Sequence, residues 1–390
     1  MPSRVRSYSK INLGLAIGPP RPDGFHSLAT LYQTVALHDT LIVSARRATT
    51  TQINLRSSDP RVPTDERNTI WKMVDKVLTR LNLTAAIEIE LRKSLPMQGG
   101  MGAGSANAAA ALLGLERELG VRLEPAARLA IAAEVGSDVP LFLVGGSVLG
   151  SDRGQIVTPV ADVTLGGRNQ IPCVIALPGI GVSTPLAFRE WDRRYEKTDA
   201  NASSGLHGPP VCDRLEQLGC TYASAFPEGT ASTQSGTSGT LSDSRSQGSL
   251  SYDLEDSPEK LHGLSRDQRH NRLETEGTSG SNIEFRIDLA ENSLLALLRT
   301  GIENDFETVV FPQYPALREI KRHLMGSSES TAGGSAVYAA LSGSGSALFG
   351  LYRTHADANA AQQRLQQHGV KAIVTSTLPR PLYWSNMFAE

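Results

Sequence analysis

Between positions 69 and 81, Ile70, Met73, Val74, Val77, Leu78 and Leu81 recur at steps of three and four, the spacing that lines one face of a helix. The next segment changes period. Over 85–92, Ala-Ala-Ile-Glu-Ile-Glu-Leu-Arg alternates at every second position, which predicts a half-buried strand. Another strand is predicted over 36–44. A helix is predicted over 106–119, with Ala108, Ala111, Leu112, Leu115 and Leu119 buried and Gly120 as its stop. A further helix over 124–135 stops at Gly136. Later in the chain the pattern gives helices over 293–299, 316–324 and 356–368. Two apolar strands within 339–352 meet at a Gly/Ser turn, and a strand follows over 370–376. The segment 285–289 reads as a short strand or a helix lead-in. Strands and helices mix in both halves without a regular βαβ rhythm, so the expected class is α+β.

The middle breaks this pattern. Over 230–251, fifteen of 22 residues are Ser, Thr or Gly. Such a stretch buries too little apolar surface to offset the entropy of ordering it. With its polar flanks, 196–282 reads as a low-complexity, disordered insertion. At 390 residues the chain suits two domains. The net charge of −2 gives no single-sign surface, which speaks against nucleic acid and membrane partners. Cys173, Cys212 and Cys220 fit neither a disulfide framework nor paired zinc ligands. The basic start lacks an apolar run, and no apolar stretch is long enough for a membrane span, so the expectation is a soluble, cytoplasmic protein.

Candidate chemistry concentrates at Leu95-Pro-Met-Gln-Gly-Gly-Met-Gly-Ala-Gly-Ser-Ala-Asn107. Its glycines let backbone approach a ligand closely, and a helix begins directly after them. The free N–H groups and dipole of that helix end favour an anion such as phosphate. No Gly-Lys-Ser/Thr follows, so this is not a P-loop, and the spacing is not that of a dinucleotide fingerprint. On the glycines alone, a plain strand-to-helix turn is an equal reading. On spacing alone, Asp138 before Val139-Pro140 reads as a helix cap.

The fuller pattern Pro-Met-x-Gly-Gly-Met-Gly-x-Gly-Ser-x-Asn resembles the phosphate-binding motif of the GHMP kinases. Tyr8-Ser-Lys-Ile-Asn-Leu13, Arg21-Pro-Asp-Gly-Phe-His26, Val135-Gly-Ser-Asp-Val-Pro140 and Leu341-Ser-Gly-Ser-Gly-Ser-Ala347 follow in family order. Asn304-Asp-Phe-Glu307 also matches. Together they are similar to the branch whose substrate is 4-diphosphocytidyl-2-C-methyl-D-erythritol. The resemblance implies a two-domain GHMP kinase fold. A ribosomal protein S5 domain 2-like, ATP-binding domain would span 1–165. A ferredoxin-like domain would span 166–195 and 283–390, with 196–282 the insertion.

The resemblance also implies roles. Lys10 and Asp138 would be catalytic, Asp138 as the base toward the substrate hydroxyl. ATP would bind Pro96, Met97, Gln98, Gly99, Gly100, Met101, Gly102, Ala103, Gly104, Ser105 and Ala106, with Asn68 and Lys93 near the nucleotide. Asn12, Phe25, His26, Thr184, Phe188, Gly343 and Gly345 would bind a substrate carrying a cytidine diphosphate group, with the aromatics stacking on the base. Mg2+ would be held mainly through the ATP phosphates, and Ser105 is the loop hydroxyl available to it. The loop departs from family usage at Gln98, Ala103 and Ala106, and Phe25 replaces a usual Tyr. The implied activity is ATP-dependent phosphorylation of the substrate's 2-hydroxyl on the methylerythritol phosphate route to isoprenoids, by a monomer or homodimer. The alternatives are a mevalonate- or homoserine-type GHMP kinase, or a non-catalytic nucleotide-binding relative.

Overall fold

A computed structural model describes residues 1–97, 99–202, 292–326 and 334–389. Gln98, Cys212, Cys220, the segment 285–289 and 203–282 of the expected insertion lie outside the described residues.

The first sheet is built on the antiparallel pair β1 (Ser3–Pro20) and β2 (His26–Arg47). The predicted strand over 36–44 is only the second half of β2. Positions 29–35 are buried on both faces, so no period of two marks them. β3 (Gln52–Ser57) and β4 (Ala85–Arg92) run parallel, joined through helix α1 (Thr69–Leu81). β4 lies along the second half of β2, while β5 (Ser147–Ser151), backed by β6 (Ile156–Pro159), lies along its first half.

Helix α2 (Ala103–Leu119) crosses under this sheet and is almost wholly buried. Its small residues permit the close approach: a Cβ on Gly114 would lie 2.7 Å from Val43 Cγ2. The helix starts three residues earlier than the pattern predicts, because Gly102 stands at its N-cap position in the left-handed conformation (φ 68°), with no side-chain cap. Ala103, Gly104, Ser105 and Ala106 therefore form its first turn. Helix α3 (Pro125–Val135) follows, tied to α2 by the buried Glu116, which accepts from Arg128 at 2.9 and 2.6 Å.

The second sheet has the order β10-β7-β9-β8, from β7 (Pro172–Leu177), β8 (Tyr338–Leu341), β9 (Leu348–Leu351) and β10 (Lys371–Ser376), all neighbours antiparallel. Helices α4 (Thr184–Ala202), α5 (Ser293–Arg299), α6 (Phe306–Gln313) and α7 (Pro315–Met325) fall between β7 and β8. Helix α8 (His355–Gln367) falls between β9 and β10. That order and chain path are those of a ferredoxin-like unit.

Two of the expected boundaries need correction. Helix α4 continues past 195 to Ala202, into the span read as insertion. The end of the chain leaves the second unit and returns to the first. After α9 (Arg380–Ser385), β11 (Phe388–Ala389) pairs with β1, and Tyr383 is buried in the first core with its hydroxyl donating to Phe142 O at 2.6 Å. The two units are joined by a shared apolar cluster, in which Ile11, Leu31 and Val35 meet Ile175, Phe349 and Leu351. The conspicuous motifs gather at this seam.

Candidate active site

Two separate pieces of chain are bonded to the glycine loop. Lys10 of β1 donates its backbone N–H to Met101 O at 3.1 Å. From the turn between β8 and β9, Ser342 Oγ donates to Gly100 O at 3.0 Å, and Ala347 N donates to Gly99 O at 3.3 Å. Nothing larger than glycine fits this junction. A Cβ on Gly100 (φ 72°) would lie 2.0 Å from Ser342 O, and one on Gly102 would lie 2.9 Å from Phe142 Cζ and 3.3 Å from Lys10 Cγ. Since Gly102 has no side chain to cap α2, the first-turn N–H groups stay open to an anion.

A cleft of about 390 Å³ opens beside this helix end, lined by Pro63, Asn68, Lys93, Pro96, Met97, Met101 and the residues from Gly99 through Ser105. That volume lies within the usual range for small-molecule sites. Two of the lining residues have their polar groups engaged elsewhere. Asn68 caps α1, accepting from Ile70 N at 2.9 Å and donating to Pro63 O at 2.6 Å. Lys93 pairs at 2.5 Å with the fully buried Asp39, which also accepts from Ser94 N and Leu95 N. Both residues line the wall while holding these bonds within the protein.

On the other side of Gly102 sits a buried polar network. Lys10 Nζ donates to Asn12 Oδ1 at 2.6 Å and lies 3.4 Å from Asp138 Oδ2. Asn12 donates to Thr30 Oγ1 at 2.8 Å, which donates to Gly14 O. Asp138, with a side chain 31% exposed against 3% for Lys10, also accepts from Tyr32 Oη at 3.1 Å. It caps no helix: the short 3-10 turn Pro140–Leu143 is preceded by Val139 and has no side-chain cap. The cap reading is thus set aside, and the carboxylate is held open toward solvent between an ammonium and a phenol. Burial, reinforced by Asp138's charge, raises the Tyr32 phenol well above its ordinary range, so it remains a donor. Tyr32 is absent from the sequence-derived set because it lies in the doubly buried half of β2.

The predicted base-stacking residues are arranged differently from a ready sandwich. His26 lies parallel to Phe188 of α4 at 4.6 Å and 17°, and Phe188 meets Phe306 edge-on. His26 Nε2 lies 2.6 Å from Asp192 Oδ1, one helical turn beyond Phe188. The imidazole thus fills the stacking distance on one face of Phe188. Phe25 is 49% exposed, and the Arg153 guanidinium covers its ring at 4.7 Å. Thr184 Oγ1 lies 2.6 Å from Ser344 Oγ, so α4 is also tied to the Gly343–Gly345 turn.

Asn304 to Glu307 are structural supports for that turn. Asn304 Nδ2 donates to Leu341 O and Gly343 O, both at 2.8 Å, and Glu307 accepts from Leu341 N at 2.8 Å. Asp305 accepts from Ile17 N at 2.8 Å, fastening the same segment to β1.

The GHMP kinases N terminal domain matches residues 68–146, and the GHMP kinases C terminal domain matches 285–371. A 4-diphosphocytidyl-2-C-methyl-D-erythritol kinase of Nocardia farcinica is 41% identical over 51% of this chain and 62% of its own length. One of Rhodococcus jostii is 40% identical over 49% of this chain and 60% of its own. The chain thus spans about three fifths of these relatives. A relative of the same name in Solibacter usitatus is 32% identical over 90% of this chain and 81% of its own. Among solved structures, a 4-(cytidine 5'-diphospho)-2C-methyl-D-erythritol kinase shares the fold at a TM-score of 0.57, 22% identity, and coverage of 96% of this chain and 98% of that one. A homoserine kinase from Cytophaga hutchinsonii does so at 0.55 and 15%, over 97% and 95%. The long match at 32% identity, running through both family domains, places this chain in the 4-diphosphocytidyl-2-C-methyl-D-erythritol kinase family of the GHMP kinases.

Proposed function

We propose that the chain is an ATP-dependent kinase that phosphorylates the 2-hydroxyl of 4-diphosphocytidyl-2-C-methyl-D-erythritol, giving the 2-phosphate and ADP. One observation carries this reading: the Lys10–Asp138 pair lies behind the same glycine, Gly102, whose carbonyl begins α2. An anion at the helix start and an alcohol at Asp138 are then neighbours. In the reaction, the alcohol oxygen forms a bond to the γ-phosphorus while the bond to the ADP oxygen breaks. The hydroxyl proton passes to the Asp138 carboxylate. Lys10 orients that carboxylate and offsets phosphate charge, and Tyr32 fixes its second oxygen. Asn12 keeps Lys10 in place through their hydrogen bond. Gly343 and Gly345 let the second unit close on the loop without a side chain between.

The triphosphate requires Mg2+, which supplies charge neutralisation during transfer. It is a hard cation that takes oxygen donors. Among the described residues no cluster of three His, Cys, Asp or Glu exists to cage it. Ser105 in the first turn of α2 offers a hydroxyl, close to Gly136 and so to the segment bearing Asp138. In this reading the ATP phosphates hold most of the metal's coordination, and the Ser105 hydroxyl is the loop group available to it.

Phe25, His26 and Phe188 distinguish this reading from a mevalonate or homoserine kinase, whose substrates carry no base to stack. The test is ADP release by the full chain with ATP, Mg2+ and each of three alcohols: the cytidyl compound, mevalonate and homoserine. Turnover of the cytidyl compound alone is the expected result. Turnover of mevalonate or homoserine instead would replace this substrate, and tight ATP binding without any turnover would support a non-catalytic role.

A further inference from the structure

The turn that follows β5 carries an unassigned cation. Asp152 and Gly154 there both have positive φ (61° and 91°). The turn is clamped at several points. Leu28 N donates to Asp152 O at 2.5 Å, and the Asp152 carboxylate is held by Arg21 and Gln155. Gly154 lies against Tyr32, since a Cβ there would fall 2.6 Å from the phenol oxygen. Between these anchors stands Arg153, half-buried, with its guanidinium 4.7 Å from the Phe25 ring centroid. Among the described residues it makes no direct ion pair: its charge acts on the adjacent Asp152, but the carboxylates of Asp152 and Asp23 are both paired with Arg21.

Contacts link these groups in the order Phe25, Arg153, Gly154, Tyr32, Asp138: the Arg153 guanidinium lies over the Phe25 ring, its neighbour Gly154 abuts the Tyr32 phenol, and Tyr32 donates to Asp138. The proposed substrate has a matching order: base, ribose, diphosphate, then the alcohol to be phosphorylated. We propose that Arg153 binds the diphosphate of the cytidyl substrate, spanning the distance between the stacked base and the hydroxyl at Asp138. This role rests on the cytidyl reading of the site. A planar guanidinium presents paired donors that match phosphate oxygens, and it can keep one face on an aromatic ring while doing so. The contact binds substrate and transition state alike, so its loss raises KM and leaves kcat nearly unchanged.

Titration calorimetry of wild type and Arg153→Gln, with ADP saturating so that the nucleotide cleft is filled, separates the possibilities. The probes are CDP and cytidine. The expected result is a loss of about ten- to a hundredfold in CDP affinity with cytidine affinity unchanged, and partial recovery in Arg153→Lys. An unchanged CDP affinity in a variant that still binds cytidine overturns the role. So does an equal loss for both ligands, which would limit Arg153 to covering Phe25. Wild-type protein that binds neither probe overturns the cytidyl reading itself, and this role with it.

Discussion

Asp138 is held from two sides, by an ammonium at 3.4 Å and a phenol at 3.1 Å, and this restraint makes its substitution informative. Asp138→Asn keeps the shape and removes the proton acceptor, so kcat is expected to fall about 10²–10⁴-fold with KM for ATP little changed. Near-native kcat in that variant would reduce Asp138 to a structural residue. Tyr32 has a raised pKa, so its neutral form favours the native state, and that contribution is lost only as pH rises through the raised value. Wild type and Tyr32→Phe should therefore have parallel kcat–pH profiles below pH 10; an alkaline limb there that the variant lacks would contradict this. At His26, Asp192→Asn should raise KM for the cytidyl substrate several-fold and leave KM for ATP alone, because Asp192 holds the imidazole and not the loop. Lys10, Asp138 and the glycines were legible because short, rigid motifs carry them. The resemblance placed Asn68 and Lys93 near the nucleotide, and both line the cleft; that Lys93 also pairs with Asp39 depends on a contact between segments remote in sequence. Asp192 and Tyr32 gave no signal, since each gains its role from a partner more than a hundred positions away.

Among the elements, the glycine loop and the β8–β9 turn act as one unit. Gly100→Ala is expected to abolish activity and lower Tm, since its Cβ would overlap the Ser342 carbonyl and the residue would also be held at positive φ. A variant with native Tm and kcat would show that the two segments separate freely. Asn304→Ala strips the donor from two buried carbonyls, an expected loss of about 2–4 kcal/mol in denaturant unfolding. A loss below about 0.5 kcal/mol would mean that water replaces the amide. Periodicity revealed α1, β4 and the body of α2, whose buried faces contrast with exposed ones. It missed the first half of β2, buried on both sides, and the early start of α2, where a left-handed glycine stands in for a polar cap.

At the scale of the molecule, the α+β class and the two family domains could be read from the order of elements and motifs, but the return of the chain end to β1 could not. A two-residue strand has no periodicity, and its partner lies at the other end of the chain. Helix α4 brings Phe188 and Asp192 to the site and runs to Ala202. Deleting 206–282 should accordingly preserve kcat and both KM values within about threefold; a large rise in the KM for the cytidyl substrate would assign the deleted segment to the pocket. The central claim is spatial: a triphosphate on the uncapped start of α2, with the acceptor alcohol on Asp138. A crystal structure with a nonhydrolysable ATP analogue and the cytidyl substrate tests it most directly. The account predicts γ-phosphate oxygens within hydrogen-bond distance of the first-turn N–H groups of α2 and the 2-hydroxyl within reach of Asp138. A phosphate chain bound away from that helix end, or an alcohol remote from Asp138, would contradict it.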